Sequence, residues 1–260
     1  MFVSRSTRHV RRLIVFVHGF RGRAVGTWMD SPDVSEEQAW WAESDLLFVG
    51  YRSTRDTITG VAHQVRREIK NFFPAPYAAA TTINGVGARG LLENYDELVV
   101  VGHSLGRLIA RRALCDAAQE WLDSGRPVDR NPLLECQLRL FSPASAGFRP
   151  AGTLGVLEAA GALRALEMVL RSSSAYIDLQ RGSEVLGETR ARTEALVRAG
   201  SFDSLKAHIV WANPDNVVVA ERYSTDWVDD AWPETSHASV CKPNRPDYRS
   251  PWNFVEAGTA

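Results

Sequence analysis

Glu97–Arg107 reads ELVVVGHSLGR, and its order of residue types decides the fold. Leu98–Val101 is an uninterrupted apolar run, the pattern of a strand buried on both faces. It gives way to Gly102-His103-Ser104-Leu105-Gly106, then to apolar residues at helical spacing: Leu105, Leu108, Ile109, Ala113 and Leu114. Strand, G-x-S-x-G and helix in succession are the setting of a nucleophile elbow, a tight turn that lifts a serine hydroxyl clear of a sheet. Glycines flank the turn because a Cβ at either place would collide with the adjoining strand or helix. The start of the helix also aims backbone N–H groups at the space beside the serine. Ser104 is therefore expected to be a nucleophile. Without its context, G-x-S-x-G would mark an ordinary turn.

Outward from the elbow, apolar runs and amphipathic segments alternate. Arg12–Val17 and Leu46–Val49 read as buried strands upstream, Leu138–Phe141 and Ala207–Trp211 downstream. Asp56–Phe72 places Ile58, Val61, Ala62, Val65, Ile69 and Phe72 at helical spacing, with Asp56 or Thr57 as N-cap and Pro74 and Pro76 as terminators. Ala78–Asn94 is expected to be a loop with a short helix. Leu154–Leu170 and Glu184–Ala199 read as helices, and Glu221–Ala260 as mostly irregular. The alternation predicts an α/β fold with a mainly parallel central sheet and helices on both faces. The helical insertion Gly152–Gly200 would stand lid-like over the carboxyl ends of the strands, where open α/β sheets bind ligands. One domain spanning residues 1–260, with that insertion at about 150–200, is the expected organisation.

The chain carries 30 Lys and Arg against 31 Asp and Glu, a net charge of −1, which gives no reason to expect nucleic acid as a partner. Cys115, Cys136 and Cys241 are odd in number and widely spaced, without a C-x-x-C or Cys/His cluster. Neither a disulfide framework nor a metal site is expected, and a cytoplasmic setting is the default. The apolar run Leu13–Val17 is too short for a signal-peptide core, and no run approaches the length of a membrane span. Peripheral contact with a membrane stays open, as does the oligomeric state.

A serine hydroxyl is a poor nucleophile until a base takes its proton, and the base needs an orienting carboxylate. Of six histidines, only His208 and His237 follow a suitable acid. His208 falls within a strand, whereas His237 lies in a loop after the last strand signal, which makes it the expected base. Asp215, just past the strand Ala207–Trp211, is the expected acid, with Asp226, Asp229 and Asp230 as alternatives nearer the histidine. An oxyanion formed in acyl transfer needs preorganised donors. The N–H groups of Leu105 and of Phe20, in the loop His18-Gly19-Phe20, are the expected pair, Gly19 allowing a close approach. This chemistry requires no cofactor.

Phe16-Val17-His18-Gly19-Phe20, Gly50-Tyr51-Arg52-Ser53, Gly102–Gly106 and Ser236-His237-Ala238-Ser239-Val240-Cys241-Lys242-Pro243 together resemble the α/β-hydrolase superfamily. More narrowly they resemble its lipase-like serine esterases, a group with relatives of glycosylphosphatidylinositol deacylase and domains fused to signalling ATPases. The resemblance covers roughly residues 13–114 and 207–252 and is weak across the insertion. It implies an α/β-hydrolase fold and hydrolysis of a small-molecule acyl ester or lipid through Ser104, His237 and Asp215. A thioesterase or amidase would use the same residues, and a non-catalytic interaction module retaining the fold is the alternative of another class. His18, Gly19 and His103 are expected beside the substrate, with Leu154 and Leu157 of the insertion as an apolar wall. Arg107 stands where the family has a further glycine. It is expected to point to solvent, on a solvated face with Arg111 and Arg112. Trp28, Trp40 and Trp41 are expected in core or lid packing.

Overall fold

Alternate side chains of the elbow strand leave on opposite faces, as the pleat requires: Leu98 and Val100 enter one apolar cluster, Val99 and Val101 the other. The computed structural model describes residues 2–4, 10–28, 43–75, 82–83, 86–87, 94–125, 130–147, 177–200, 202–227, 230–242 and 250–258. Its main sheet contains β1 (Phe2–Ser4), β2 (Arg12–Val17), β3 (Ser44–Val49), β6 (Glu97–His103), β7 (Gln137–Phe141), β8 (Ala207–Asn213) and β9 (Asp230–Pro233). A separate hairpin joins β4 (Thr82–Ile83) to β5 (Val86–Gly87). The main sheet runs in the order β1-β3-β2-β6-β7-β8-β9, with β1 antiparallel at one edge and the other strands parallel.

One face carries α1 (Ile58–Glu68), α2 (Leu105–Asp123) and α3 (Glu184–Arg198). Thr57 caps α1, its hydroxyl accepting from the Gly60 N–H at 3.1 Å. The other face is covered by α4 (Ser250–Ala257), whose Trp252, Phe254 and Val255 pack with Ile14, Phe16, Phe48 and Phe141. Each such side chain removed from water contributes about 1.5–3 kcal/mol. Trp28 joins this second cluster, its ring 5.0 Å from that of Phe16. Trp40, Trp41 and the predicted helix 154–170 lie outside the described residues.

Three expectations need comment. Within 78–94 the described residues 82–83 and 86–87 pair as β4 and β5, and the short helix expected before the elbow strand falls outside the described residues. The tail is irregular over most of its described residues, as expected, but it also contributes β9 and α4, which were not expected. Both hide behind prolines: Pro233 ends an edge strand, where a missing N–H is tolerated, and Pro251 sits in the first turn of α4, where it is at home. The arginines are the third case. Arg107 and Arg111 are fully buried, because α2 is covered by α3 and by the chain around Tyr223. Their Cζ atoms each lie 4.4 Å from the centroid of the Tyr223 ring, and that of Arg190 lies 5.2 Å from it. Arg111 is neutralised by Asp226 and donates to the Leu205 carbonyl at 2.7 Å. Arg112 is half-buried and bonds Asp116 at 3.2 Å and Glu188 at 2.8 Å.

Candidate active site

β6 delivers Ser104 to the carboxyl edge of the sheet in a conformation that L-residues avoid, φ 53° and ψ −115°. The glycines explain how the turn fits. A Cβ on Gly106 would lie 2.0 Å from the Val17 carbonyl oxygen, and one on Gly102 would lie 3.0 Å from the Arg107 nitrogen. The helix start thus rests directly on the end of β2. Leu105 is the first residue of α2, where N–H groups have no acceptor within the helix. Gly19 brings the loop after β2 against the serine: a Cβ there would meet Ser104 Cβ and His103 Nδ1, each at 3.0 Å.

The parallel register of β8 and β9 pairs Asn213 with Pro233, so the loops carrying Asp215 and His237 leave the sheet side by side. Asp215 Oδ1 accepts from the N–H groups of Val217 (2.9 Å) and Val218 (3.0 Å), and Oδ2 lies 2.9 Å from His237 Nδ1. A carboxylate oxygen only accepts, so Nδ1 carries the proton and Nε2 presents its lone pair. Burial pushes the Asp215 carboxyl up, but the bond and charge of His237 and the two backbone donors outweigh it and hold the group down to about 2. The His237 turn is stapled by Ser236 and Ser239, whose hydroxyls lie 3.0 Å apart, and anchored by buried Val240 and Cys241.

His103, expected beside the substrate, lines the cleft and makes a contact the sequence did not suggest. Its Nε2 lies 2.8 Å from the His237 carbonyl oxygen and must donate to it, while its ring stands 4.9 Å from the His237 ring. Burial, then the neighbouring His237 charge, pushes its pKa down to about 3, so it stays neutral and adds no second cation. Ser104, His237, His103, Gly19 and Phe20 line one cleft of about 470 Å3, within the range of small-molecule sites. Ser104 Oγ makes no hydrogen bond to any described residue.

The sequence matches no family model and no curated protein. The structure is similar to solved ones. A mature lipase of Bacillus licheniformis is 15% identical at a TM-score of 0.57, with 100% of this chain and 98% of that one covered. Esterase B of Lactobacillus rhamnosis, solved with a tributyrin phosphonate inhibitor, is 13% identical at 0.53, covering 97% and 77%. The monoacylglycerol lipase of Paleococcus ferrophilus is 14% identical at 0.51, covering 99% of each chain. The fold is that of the α/β-hydrolases.

Within this α/β-hydrolase fold the carboxylate facing His237 is Asp215. Asp226 is spent on Arg111, the Tyr223 N–H (3.1 Å) and the Ala207 N–H (3.0 Å), and Asp230 is exposed at the start of β9. Asp229, Leu154 and Leu157 lie outside the described residues. His18 is not on the cleft wall: it is buried, with Nδ1 2.8 Å from the Gly19 oxygen and its ring stacked 4.1 Å from that of Tyr51. Burial lowers its pKa, so it too serves as a neutral support of the loop. His208 lies on β8, stacked against Trp227. No group of metal-ligating side chains occurs among the described residues, and no described helix is long and apolar enough to cross a membrane.

Proposed function

We propose that this chain is a serine hydrolase that cleaves carboxylic esters. The observation that carries the reading is the strained Ser104 sharing its cleft with a histidine whose far nitrogen is bonded to a buried carboxylate. Ser104 attacks the acyl carbonyl while His237 Nε2 takes its proton. Asp215, ionised at any working pH, holds the imidazole in that tautomer and stabilises it once charged. The N–H groups of Leu105 and Phe20 receive the oxyanion. His237 then returns the proton to the leaving alkoxide, and a water activated by the same imidazole releases the acid. The Ser104–His237 hydrogen bond is the one link still to form, and such contacts tighten when substrate arrives. Small-molecule esters or lipids are the substrates and no cofactor takes part. The Lys242-Pro243 sequence after His237 favours kinship with the lipase-like esterases that include relatives of glycosylphosphatidylinositol deacylase.

Labelling with a fluorophosphonate tests this directly. Wild type should label and turn over 4-nitrophenyl butyrate, and both should vanish in Ser104→Ala and His237→Ala, with turnover falling by about 10⁶. A folded wild-type protein that neither labels nor hydrolyses esters would overturn the proposal in favour of a non-catalytic module.

A further inference from the structure

Among its described residues, the cleft around Ser104 is lined by charge of one sign. Arg21, Arg23 and Lys242 contribute to its wall, and no Asp or Glu is among its described lining residues. Asp215 stands behind His237 with only 2% of its side chain exposed, both oxygens taken. This asymmetry occurs in a chain whose net charge is −1. Charges scattered by chance on such a surface would be mixed.

The loop that presents the arginines is built rather than loose. The Arg21 N–H donates to Ser53 Oγ at 2.7 Å, the Gly22 N–H to the Gly19 oxygen at 3.0 Å, and the Arg23 N–H to Thr27 Oγ1 at 2.9 Å. The Thr27 N–H closes the loop on the Arg23 oxygen at 3.1 Å. Arg21 itself has φ 57°, a left-handed conformation in which glycine or asparagine would be relaxed. An arginine kept there against strain points to a use for its side chain. Both side chains are exposed, and among the described residues neither guanidinium pairs with a carboxylate. Lys242 lines the same cleft, and its charge is felt at His103.

We propose that the substrate ester carries an anionic group on its alcohol side, received by Arg21, Arg23 and Lys242. The proposal rests on the ester-hydrolase reading above. The side follows from the chemistry: His237 must hand its proton to the leaving oxygen, so the alcohol lies beside His237, in the cleft that it shares with Arg21, Arg23 and Lys242. The arginine fork suits an anion with several oxygens, and a partly desolvated cleft strengthens the attraction.

The test compares 1-butyrylglycerol 3-phosphate with 1-butyrylglycerol, which differ only in the phosphate. At about 20 mM salt the phosphate ester should have a kcat/KM about tenfold higher, and the ratio should approach one at about 0.5 M salt. The double variant Arg21→Gln, Arg23→Gln should lower the same ratio at low salt. Equal rates on both esters in wild type would overturn the inference while leaving ester hydrolysis standing. A preference for the mono-4-nitrophenyl ester of glutaric acid over 4-nitrophenyl butyrate, without one for the glycerol phosphate, would put the anion on the acyl side and overturn the assignment. Failure of every ester, with Ser104 unlabelled, would instead sink the hydrolase reading.

Discussion

Asp215→Asn separates the proposed orienting role of the carboxylate from its place in the fold. Asparagine keeps the shape, and its oxygen can go on accepting from the N–H groups of Val217 and Val218, now 2.9 and 3.0 Å from Oδ1. Its amide then faces His237 Nδ1, which has a carboxylate oxygen at 2.9 Å in the wild type. The amide donates, so Nδ1 must accept and the ring proton moves to Nε2, the nitrogen that should receive the Ser104 proton. Turnover of 4-nitrophenyl butyrate at pH 8 should fall by about 10⁴, the size of the loss when a triad acid becomes an amide, with KM changed by less than about threefold. Stability carries a second signature. The Asp215 carboxyl ionises at about 2 in the fold against 3.8 as its ordinary value, a difference equivalent to roughly 2 kcal/mol. A depressed carboxyl stabilises the fold above its ordinary value and loses that contribution as pH falls through about 2. Part of that difference belongs to the pairing with His237, so about 1–2 kcal/mol is expected at pH 7. Urea unfolding should therefore find the variant less stable at pH 7 and the gap closing in strong acid. A turnover loss below tenfold, or equal stability at pH 7, would refute the assignment of Asp215.

Other substitutions probe the supports of the site. Gly106→Ala would set a methyl 2.0 Å from the Val17 oxygen, where only backbone can yield, so thermal melting should show a loss of about 3 kcal/mol, roughly 6–12 °C; an unchanged melt would show that the elbow does not rest on β2. His103→Leu removes the donor from the His237 carbonyl and should reduce kcat by about 10–100-fold with KM nearly constant, while His103→Gln, still a donor, restores part of it. Equal kcat in Leu and Gln variants would mean the bond does not position His237. Arg107→Met should stabilise the protein by about 1–2 kcal/mol. Its guanidinium is fully buried with no carboxylate bonded to it among the described residues, and burial pushes its pKa down to about 10; the lost contact with Tyr223 and the nearby charge of Asp226 offset part of the gain. A lower melting temperature would mean the charge is paired after all.

The legible parts of the fold were those where one physical demand dominates a run of sequence. Residues 98–101, 12–17, 46–49, 138–141 and 207–211 are strands because both faces are buried, which leaves little but aliphatic and aromatic side chains. The tight turn at Ser104 was legible because an elbow requires glycines at fixed offsets, and the pairing of Asp215 with His237 because chain order and loop position narrowed the choice. What escaped were features set by neighbours. Asp230-Ala231-Trp232-Pro233 has no alternation, since an edge strand needs apolar side chains only where it meets the core, here Trp232. Arg107 and Arg111 have the composition of a solvated face. The cover of α3 and the approach of Tyr223 and Asp226, more than 110 residues away in the chain, bury them. The His103 bond to His237 is likewise a long-range contact, spanning 134 residues, with no local signal.

The distribution of the site over the sheet has a thermal consequence. Ser104 and the loop after β2 hang from central strands, while Asp215 and His237 hang from β8 and β9, the latter a four-residue strand at the sheet margin. Margins fray at free energies well below that of global unfolding. On warming, the half of the site proposed to supply the proton relay should come apart while the half that holds the proposed nucleophile is still folded. Reversible loss of turnover should therefore set in below the melting temperature, with Ser104 still presented and His237 displaced.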